Sequence, residues 1–399
     1  MVIRDDFKII KNGLVYFDSA ATMLKPQIVI DKITDYYTNY SVNINRGDYD
    51  LAMKTNIEYE EVRSKVKSFI NAKNNNEIVF TSGTTMAINM ICNGYFKHTL
   101  MPEDEIIISN SEHASNILPW FNLSLSNKAV IRYCPLNDKL GISLEAVKKT
   151  ITPKTKVIAF AHVTNVIGDI RPLKEIITYA HQLGIIVVVD AAQSIAHLKV
   201  DVQDLDCDFL AFSGHKMMGP TGIGVLYGKF ELLNKIKPLI LGGGMNESFD
   251  DENQVILKEL PEKLEAGTQN ISGVIGLGSA IDYIEGIGID KIQNYEQDLN
   301  KYLISKLLII PHIKLVNEHS ETGIITFNVD GIFCQDVSIY LNKYRVCVRA
   351  GNHCAKILKK ESGIANSVRI SLAIYNTKEE IDFVVDLLSD KNKILKEMI

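Results

Sequence analysis

Residues 157–161 and 185–189 form two short apolar runs, and the segment between them constrains the fold more than any other stretch of the chain. Pro172 opens that segment, Leu173, Ile176, Ile177, Ala180 and Leu183 recur in it at helical spacing, and Gly184 closes it. A strand, a helix and a strand with such short connections make a βαβ unit, in which a right-handed crossover joins parallel strands. Residues 78–80, before a Gly-Thr-Thr turn, and residues 106–108, before Ser109, read as further parallel strands. An open parallel sheet binds its ligand at the carboxyl ends of its strands, so the residues after each run are the candidates for chemistry. They are Gly83-Thr84-Thr85, Glu112-His113, His162 to Asn165, Asp190 to Gln193 and Ser213 to Lys216.

The last third of the chain has a different pattern. Residues 323–329 and 346–349 read as strands, and Thr377-Lys378-Glu379-Glu380 is a capping box that opens a final helix. Ile381, Val384, Val385 and Leu388 mark one apolar face of that helix. The expectation is an α/β protein in two parts. A large domain over 17–285 holds a mainly parallel central sheet, and a smaller α+β domain comprises 1–16 and 286–399.

Composition excludes several function classes. The chain has 399 residues, 46% hydrophobic and 23% charged, and 43 Lys plus Arg stand against 48 Asp plus Glu. No overall positive field attracts nucleic acid or an anionic membrane, and no apolar run approaches the roughly 20 residues of a spanning helix. Acidic residues at positions 5 and 6 precede any apolar segment, so no secretory signal is visible and a cytoplasmic location is expected. The six cysteines include no Cys-x-x-Cys pair, and the nine histidines form no ligand grouping, so neither a disulfide framework nor a metal site is expected.

Asp190 lies at the lip of a buried strand, and 26 residues later a second run, 209–212, ends in Ser213-Gly214-His215-Lys216. Taken singly, a carboxylate there is a turn residue and a lysine is solvated. Together they meet the needs of a pyridine cofactor: an amine to form its imine and a carboxylate to keep the ring nitrogen protonated. Gly83-Thr84-Thr85, at a strand-to-helix turn, offers amides and hydroxyls to a phosphate. No Gly-x-x-x-x-Gly-Lys-Ser/Thr is present and Gly242-Gly243-Gly244 lacks dinucleotide spacing, which argues against nucleotide binding.

The segment Ser213-Gly214-His215-Lys216-Met217-Met218-Gly219-Pro220-Thr221-Gly222-Ile223-Gly224 resembles the lysine segment of class V aminotransferase-fold enzymes, and of cysteine desulfurases among them. Asp18-Ser19-Ala20-Ala21-Thr22, Asn45-Arg46-Gly47, Glu112-His113, His162-Val163-Thr164-Asn165, Asp190-Ala191-Ala192-Gln193-Ser194 and Glu265-Ala266-Gly267-Thr268 match in order. So do Val348-Arg349-Ala350-Gly351-Asn352-His353-Cys354-Ala355 and the segment from Arg369 to Thr377. The lysine and cysteine segments are most similar to the SufS-like, group II branch.

The resemblance implies a pyridoxal-phosphate (PLP)-dependent transferase of fold type I that converts L-cysteine to L-alanine. Sulfur would pass to an enzyme cysteine as persulfide and then to iron-sulfur cluster assembly. It makes Lys216 the Schiff-base lysine, Asp190 the partner of the ring nitrogen, His113 the ring-stacking imidazole and Gln193 the contact of the ring hydroxyl. Thr84, Thr85, Ser213 and His215 would hold the phosphate, Asn165 would line the ring, and Thr268 would reach the phosphate of a neighbouring subunit, which implies a homodimer. Arg369 would clamp the substrate carboxylate with Arg349 nearby, and Cys354 would be the nucleophile. The implied partner is a sulfur acceptor of the SufE or SufU/IscU type. A selenocysteine lyase or another class V aminotransferase is the alternative within the fold, and a binding protein without turnover is the alternative outside it.

The residues themselves support two of these roles. Arginine occurs only eight times, and its rigid fork suits a carboxylate as an ammonium does not. Cys354 follows Gly351-Asn352-His353, a small polar turn in which a thiol is accessible, whereas Cys347 lies inside a strand and suits packing. Asn45, Tyr49, Ala114 and Asn352 stand where group II members often carry histidine, which thins the imidazoles around the cysteine.

Overall fold

The computed structural model describes residues 3–397. Seven strands make the main sheet: β1 (Ile78–Thr81), β2 (Glu105–Ser109), β3 (Val130–Cys134), β4 (Thr155–Ala161), β5 (Ile186–Asp190), β6 (Phe209–Ser213) and β7 (Gly224–Gly228). Their order is β1-β7-β6-β5-β4-β2-β3. The crossover expected between β4 and β5 is present, with its helix at Leu173–Gln182. Strand β1 points the same way as β2 to β6 but is hydrogen-bonded to none of them. Strand β7 lies between β1 and β6 and runs antiparallel to both.

Both faces of the sheet are buried, so its strands are continuously apolar rather than alternating. Period-two geometry still sorts them. Ile107, Val187, Val189, Leu210 and Phe212 join one core with helices α1 (Gln27–Asn39), α2 (Asp50–Phe69) and α3 (Ile271–Ile287). Ile106, Ile108, Val188, Phe209 and Ala211 join another beneath Ile88, Trp120 and Leu123. Among the described residues, no helix is long and apolar enough to cross a membrane.

A second, antiparallel sheet contains Ile313–Leu315, Ile324–Val329, Ser367–Ser371 and Arg349–Gly351, in that spatial order. It shares a third apolar core with the helices Ile289–Leu308 and Lys378–Ser389. Thr377 and Glu380 close the capping box at the start of the latter helix. The strand expected at 346–349 is divided: Val346–Cys347 pairs with Val15–Tyr16, and Arg349–Gly351 turns to the second sheet. One segment thereby reaches from the N-terminal strand to the site.

Gly224 lies opposite both Thr81 and Ser213, and a Cβ there would stand 2.5 Å from the Gly83 Cα and 2.5 Å from the Phe212 carbonyl oxygen. These neighbours are backbone atoms and cannot turn aside. Gly224→Ala is expected to cost about 1–3 kcal/mol of stability by overpacking, read as a lower denaturant midpoint with an unchanged slope.

Candidate active site

The carboxyl ends of β1, β2, β4, β5 and β6 surround a cavity of about 190 Å³. Lys216, Asp190, His113, Gln193 and Asn165 line it, together with Thr84, Thr85, Ser213 and His215. Arg349 and Arg369 enter from the second sheet. Residues from 84 to 369 are therefore brought to one place by loops of the large sheet and a strand pair of the second.

Asp190 ends β5, and its Oδ1 accepts from the amide of Ala192 at 2.9 Å. Burial pushes its carboxyl up to about 6, although that amide and the Lys216 charge both oppose the rise. Lys216 is only partly exposed, on the short 3₁₀ turn that follows β6. Burial draws its amine down to about 8 against the pull of Asp190, so about a tenth of it is neutral at pH 7. His113 is lowered to about 4 by burial and by the charges of Lys216, Arg349 and Arg369, so its ring is neutral at pH 7. The amide of Ser115 donates to His113 Nδ1 at 3.2 Å and fixes the ring orientation.

At the other end of the cavity, Gly83 has φ +147 and ψ 177, a conformation that suits glycine. It precedes the helix that begins at Thr84. The Thr84 amide donates to Ser213 Oγ at 2.8 Å, and Thr84 Oγ1 lies 2.8 Å from the same oxygen. Thr85 Oγ1 lies 2.8 Å from Ser115 Oγ. Hydroxyls and a neutral imidazole, His215 at about 4, thus cluster where no carboxylate lines the wall. An amine, a carboxylate and a hydroxyl-rich end in one cavity are the groups that a phosphorylated pyridine aldehyde requires, so the residues fit PLP.

The arginines carry a signal that their spacing in sequence did not reveal. Arg349 and Arg369 are directly opposite each other on neighbouring antiparallel strands, and like charges in that position repel. Arg369 is fully buried, with Nη1 on the Asn165 carbonyl at 3.0 Å and Nη2 on Asp18 Oδ1 at 2.9 Å. Its Nε has no partner, and neither has the buried Asn165 Oδ1. Two guanidinium groups at one cavity, with Asp18 paired to Arg369, suit a carboxylate ligand. Arg369→Lys is expected to raise KM for an amino-acid substrate by roughly 10- to 100-fold, the worth of a lost charge-assisted hydrogen bond, with little change in kcat. Steady-state kinetics checks the split.

Cys354 does not line the cavity itself; its Sγ lies 3.7 Å from Arg349 Nη2 at the rim. His353 and Cys354 both adopt left-handed φ values, 51 and 60. Asn352 Oδ1 accepts from the Cys354 amide at 3.0 Å and holds this tight turn. Two further bonds fasten it to the large sheet's loops: Asn165 Nδ2 to the His353 carbonyl at 2.7 Å, and the Ala114 amide to the Cys354 carbonyl at 2.8 Å. Cys92, Cys134, Cys207 and Cys334 are buried, and burial raises the thiol of each, so the packing role expected of most cysteines fits them.

Gln193 lines the cavity, but its amide group donates to the Ala20 carbonyl at 2.8 Å. Thr268 stands apart, in a separate pocket of about 210 Å³ with Met86 and Met90, where it accepts from Asn43 at 3.3 Å. Sequence reasoning gave no role to Ser115, which joins His113 to Thr85, or to Asp18, which neutralises Arg369. Asp18 lay in a matched segment, and its sign against Arg369 was the available signal.

Residues 15–384 match the model of the "Aminotransferase class-V" family. The chain belongs to that family. It is 46% identical over 369 residues to a "Probable cysteine desulfurase" of Halalkalibacterium halodurans, covering 92% of this chain and 91% of the relative. Among solved structures it is similar to the apo cysteine desulfurase of Thermococcus onnurineus NA1, with a TM-score of 0.93 and 37% identity over 97% of this chain and 96% of that one. It is also similar to the cysteine desulfurase CsdA (S-sulfonic acid) of Escherichia coli, with a TM-score of 0.93 and 36% identity over 99% and 98% of the two chains. The class-V fold accounts for the mostly parallel sheet and for the second sheet that delivers the arginines.

Proposed function

We propose that this chain is a PLP-dependent cysteine desulfurase of the SufS-like, group II branch. The observation that carries the reading is the convergence of Lys216, Asp190 and the Arg349–Arg369 pair on one cavity, with a thiol, Cys354, at its rim. The cofactor would be held by Lys216 at its aldehyde, Asp190 at its ring nitrogen, His113, Gln193 and Asn165 around the ring, and Thr84, Thr85, Ser213 and His215 at its phosphate. When bound, it supplies an electron sink for the substrate's α-carbon.

Arg369, with Arg349 beside it, binds the carboxylate of L-cysteine and orients the amino acid toward Lys216. The Lys216 amine then carries the proton from and to the α-carbon. Cys354 attacks as thiolate: a new sulfur–sulfur bond forms as the substrate's Cβ–S bond breaks, and the carbon skeleton keeps the bonding electron pair. With protons added it leaves as L-alanine, and the sulfur stays on Cys354 as a persulfide. Arg349 Nη2 faces this sulfur at 3.7 Å.

A homodimer fits this reading. Phe249, Val255 and Ile256 stand exposed on the hairpin Asn246–Phe249 and Val255–Leu257, and Thr268 lies outside the chain's own cavity. Residues 17–285 would be the cofactor-binding domain, and 1–16 with 286–399 the domain that carries the nucleophile. The persulfide would pass to a SufE or SufU/IscU-type acceptor that supplies iron-sulfur assembly in the cytoplasm. Incubation of the PLP-loaded protein with L-cysteine, with and without reductant, tests the activity. Equimolar alanine and sulfide with reductant support it, and alanine formed only with an added keto acid points to an aminotransferase.

A further inference from the structure

Beside the strand ends that carry Ala161 and Asp190 lies an ion pair to which the chemistry so far gives no role. Glu112 and Arg171 are both fully buried and in direct contact. Arg171 Nη2 donates to Ser109 Oγ at 2.9 Å and Ser111 Oγ at 2.8 Å, and its guanidinium lies over the Phe160 ring, 5.2 Å from the centroid. Its Nε is 3.7 Å from Asp169 Oδ2 and has no hydrogen-bond partner. Glu112 accepts from Ser109 at 2.7 Å, from Asn116 at 2.8 Å and from the Ala161 amide at 2.8 Å. A buried pair seldom stabilises more than well-packed apolar residues would, so its presence here calls for a reason other than stability.

Its connections supply one. Ala161, whose amide Glu112 holds, is the register partner of Asp190 across β4 and β5. The His162 amide donates to the Asp190 carbonyl at 2.8 Å, and the Arg171 amide donates to the His162 carbonyl at 3.1 Å. Glu112 also precedes His113 in the chain. The pair therefore grips both the strand end beside Asp190 and the root of the His113 turn. We propose that Glu112 and Arg171 are a positioning pair for the cofactor's ring end, whose opposed charges set the ionisation of Asp190. The proposal rests on the PLP reading above.

The charged groups acting on Asp190 are Lys216, Glu112 and Arg171: Glu112 raises its carboxyl, while Arg171 and Lys216 lower it. The neighbouring imidazoles, His113 and His162, are both held at about 4 and lie below the value of about 6 at which Asp190 titrates. Arg171 itself faces Glu112, Asp169 and Cys134. Removing one member of the pair exposes Asp190 to the field of the other, and the two removals act in opposite directions. Arg171→Gln leaves the Glu112 anion uncompensated and raises Asp190. Glu112→Gln leaves the Arg171 cation uncompensated and lowers it.

Asp190 pairs with a protonated ring nitrogen only as a carboxylate, so ring binding is strong above its pKa and weakens as pH falls through it. The probe is pyridoxamine 5′-phosphate, which carries the ring and the phosphate but has no aldehyde for Lys216. Its affinity for the apo-protein is measured by equilibrium dialysis between pH 4.5 and 8.5. Relative to the unmodified protein, the pH at which binding weakens should rise by about one unit in Arg171→Gln and fall by about one unit in Glu112→Gln. The double variant should return it close to its starting value. The conservative Arg171→Lys, which keeps the charge, should shift it far less than Arg171→Gln.

A purely structural pair would weaken binding alike in both single variants without moving the profile in opposite directions, and that result overturns the proposal. So does a double variant that shifts as far as either single one. Should a variant fail to fold, the remaining single variant and Arg171→Lys still fix the sign of the shift, and a wrong sign overturns the proposal. If the unmodified protein binds no probe at any pH, the PLP reading itself fails and the proposal falls with it.

Discussion

Cys354→Ser is expected to abolish sulfur transfer while leaving the cofactor cavity intact. Serine keeps the size of the side chain and can occupy the same left-handed turn, so the amide bond to Asn352 and the carbonyl bond to Ala114 both survive. What is lost is the sulfur nucleophile itself, and a hydroxyl in its place cannot attack the substrate sulfur to form a persulfide. Alanine production from cysteine should fall below about a hundredth of the original rate, in line with the loss of an activated reacting group. Cofactor content and the spectral response to added cysteine should persist, since those depend on Lys216, Asp190 and Arg369.

Mass spectrometry gives the complementary result in the unmodified protein. After cysteine and before reductant, one added sulfur should map to the peptide containing Cys354. None should map to Cys92, Cys134 or Cys207, which are fully buried and whose thiols burial raises. Sulfur mapped to another residue, or alanine released at the original rate by the serine variant, would refute the mechanism.

Lys216→Ala is expected to remove the covalent link between the protein and the cofactor aldehyde. It is the one lysine on the cavity wall, and burial holds its amine at about 8, low enough for nucleophilic use. Borohydride should therefore fix no cofactor to the variant, and turnover should fall by at least about 10³-fold with the loss of both the attachment point and the proton carrier. Stability should change little, because removing a desolvated amine also removes an unfavourable charge from the interior. A reducible adduct on any other lysine contradicts the assignment.

The elements that sequence alone made legible were those governed by local rules. The runs that became β1, β2, β4, β5 and β6 are short, apolar and bounded by turns, and the residues after them line the cavity. Lys216 and Asp190 were legible because two groups of complementary chemistry end two such strands. Strand β7 was not, since Gly224–Gly228 follows the lysine turn closely and nothing in its pattern states that it inserts antiparallel between β1 and β6. The facing of Arg349 and Arg369 is a fact of register between strands, which sequence spacing does not carry. The Glu112–Arg171 contact joins positions 59 residues apart, and each alone reads as an ordinary surface charge.

The fastening of the Cys354 turn has a consequence for when its sulfur can be reached. Among the described residues, two hydrogen bonds, from Asn165 and from Ala114, hold His353 and Cys354 to the loops of the large sheet, and Ala355 packs in one apolar cluster with Val166 and Ile167 of those loops. At about 0.5–1.5 kcal/mol each, the release of those two bonds costs roughly 1–3 kcal/mol, so about one molecule in six to one in a hundred and sixty has both broken at a given instant. The thiol itself is partly exposed, so what this minority population changes is the direction from which the sulfur can be reached. Such breathing needs no unfolding of either sheet, and it lets a sulfur taken up facing the cavity be surrendered facing outward.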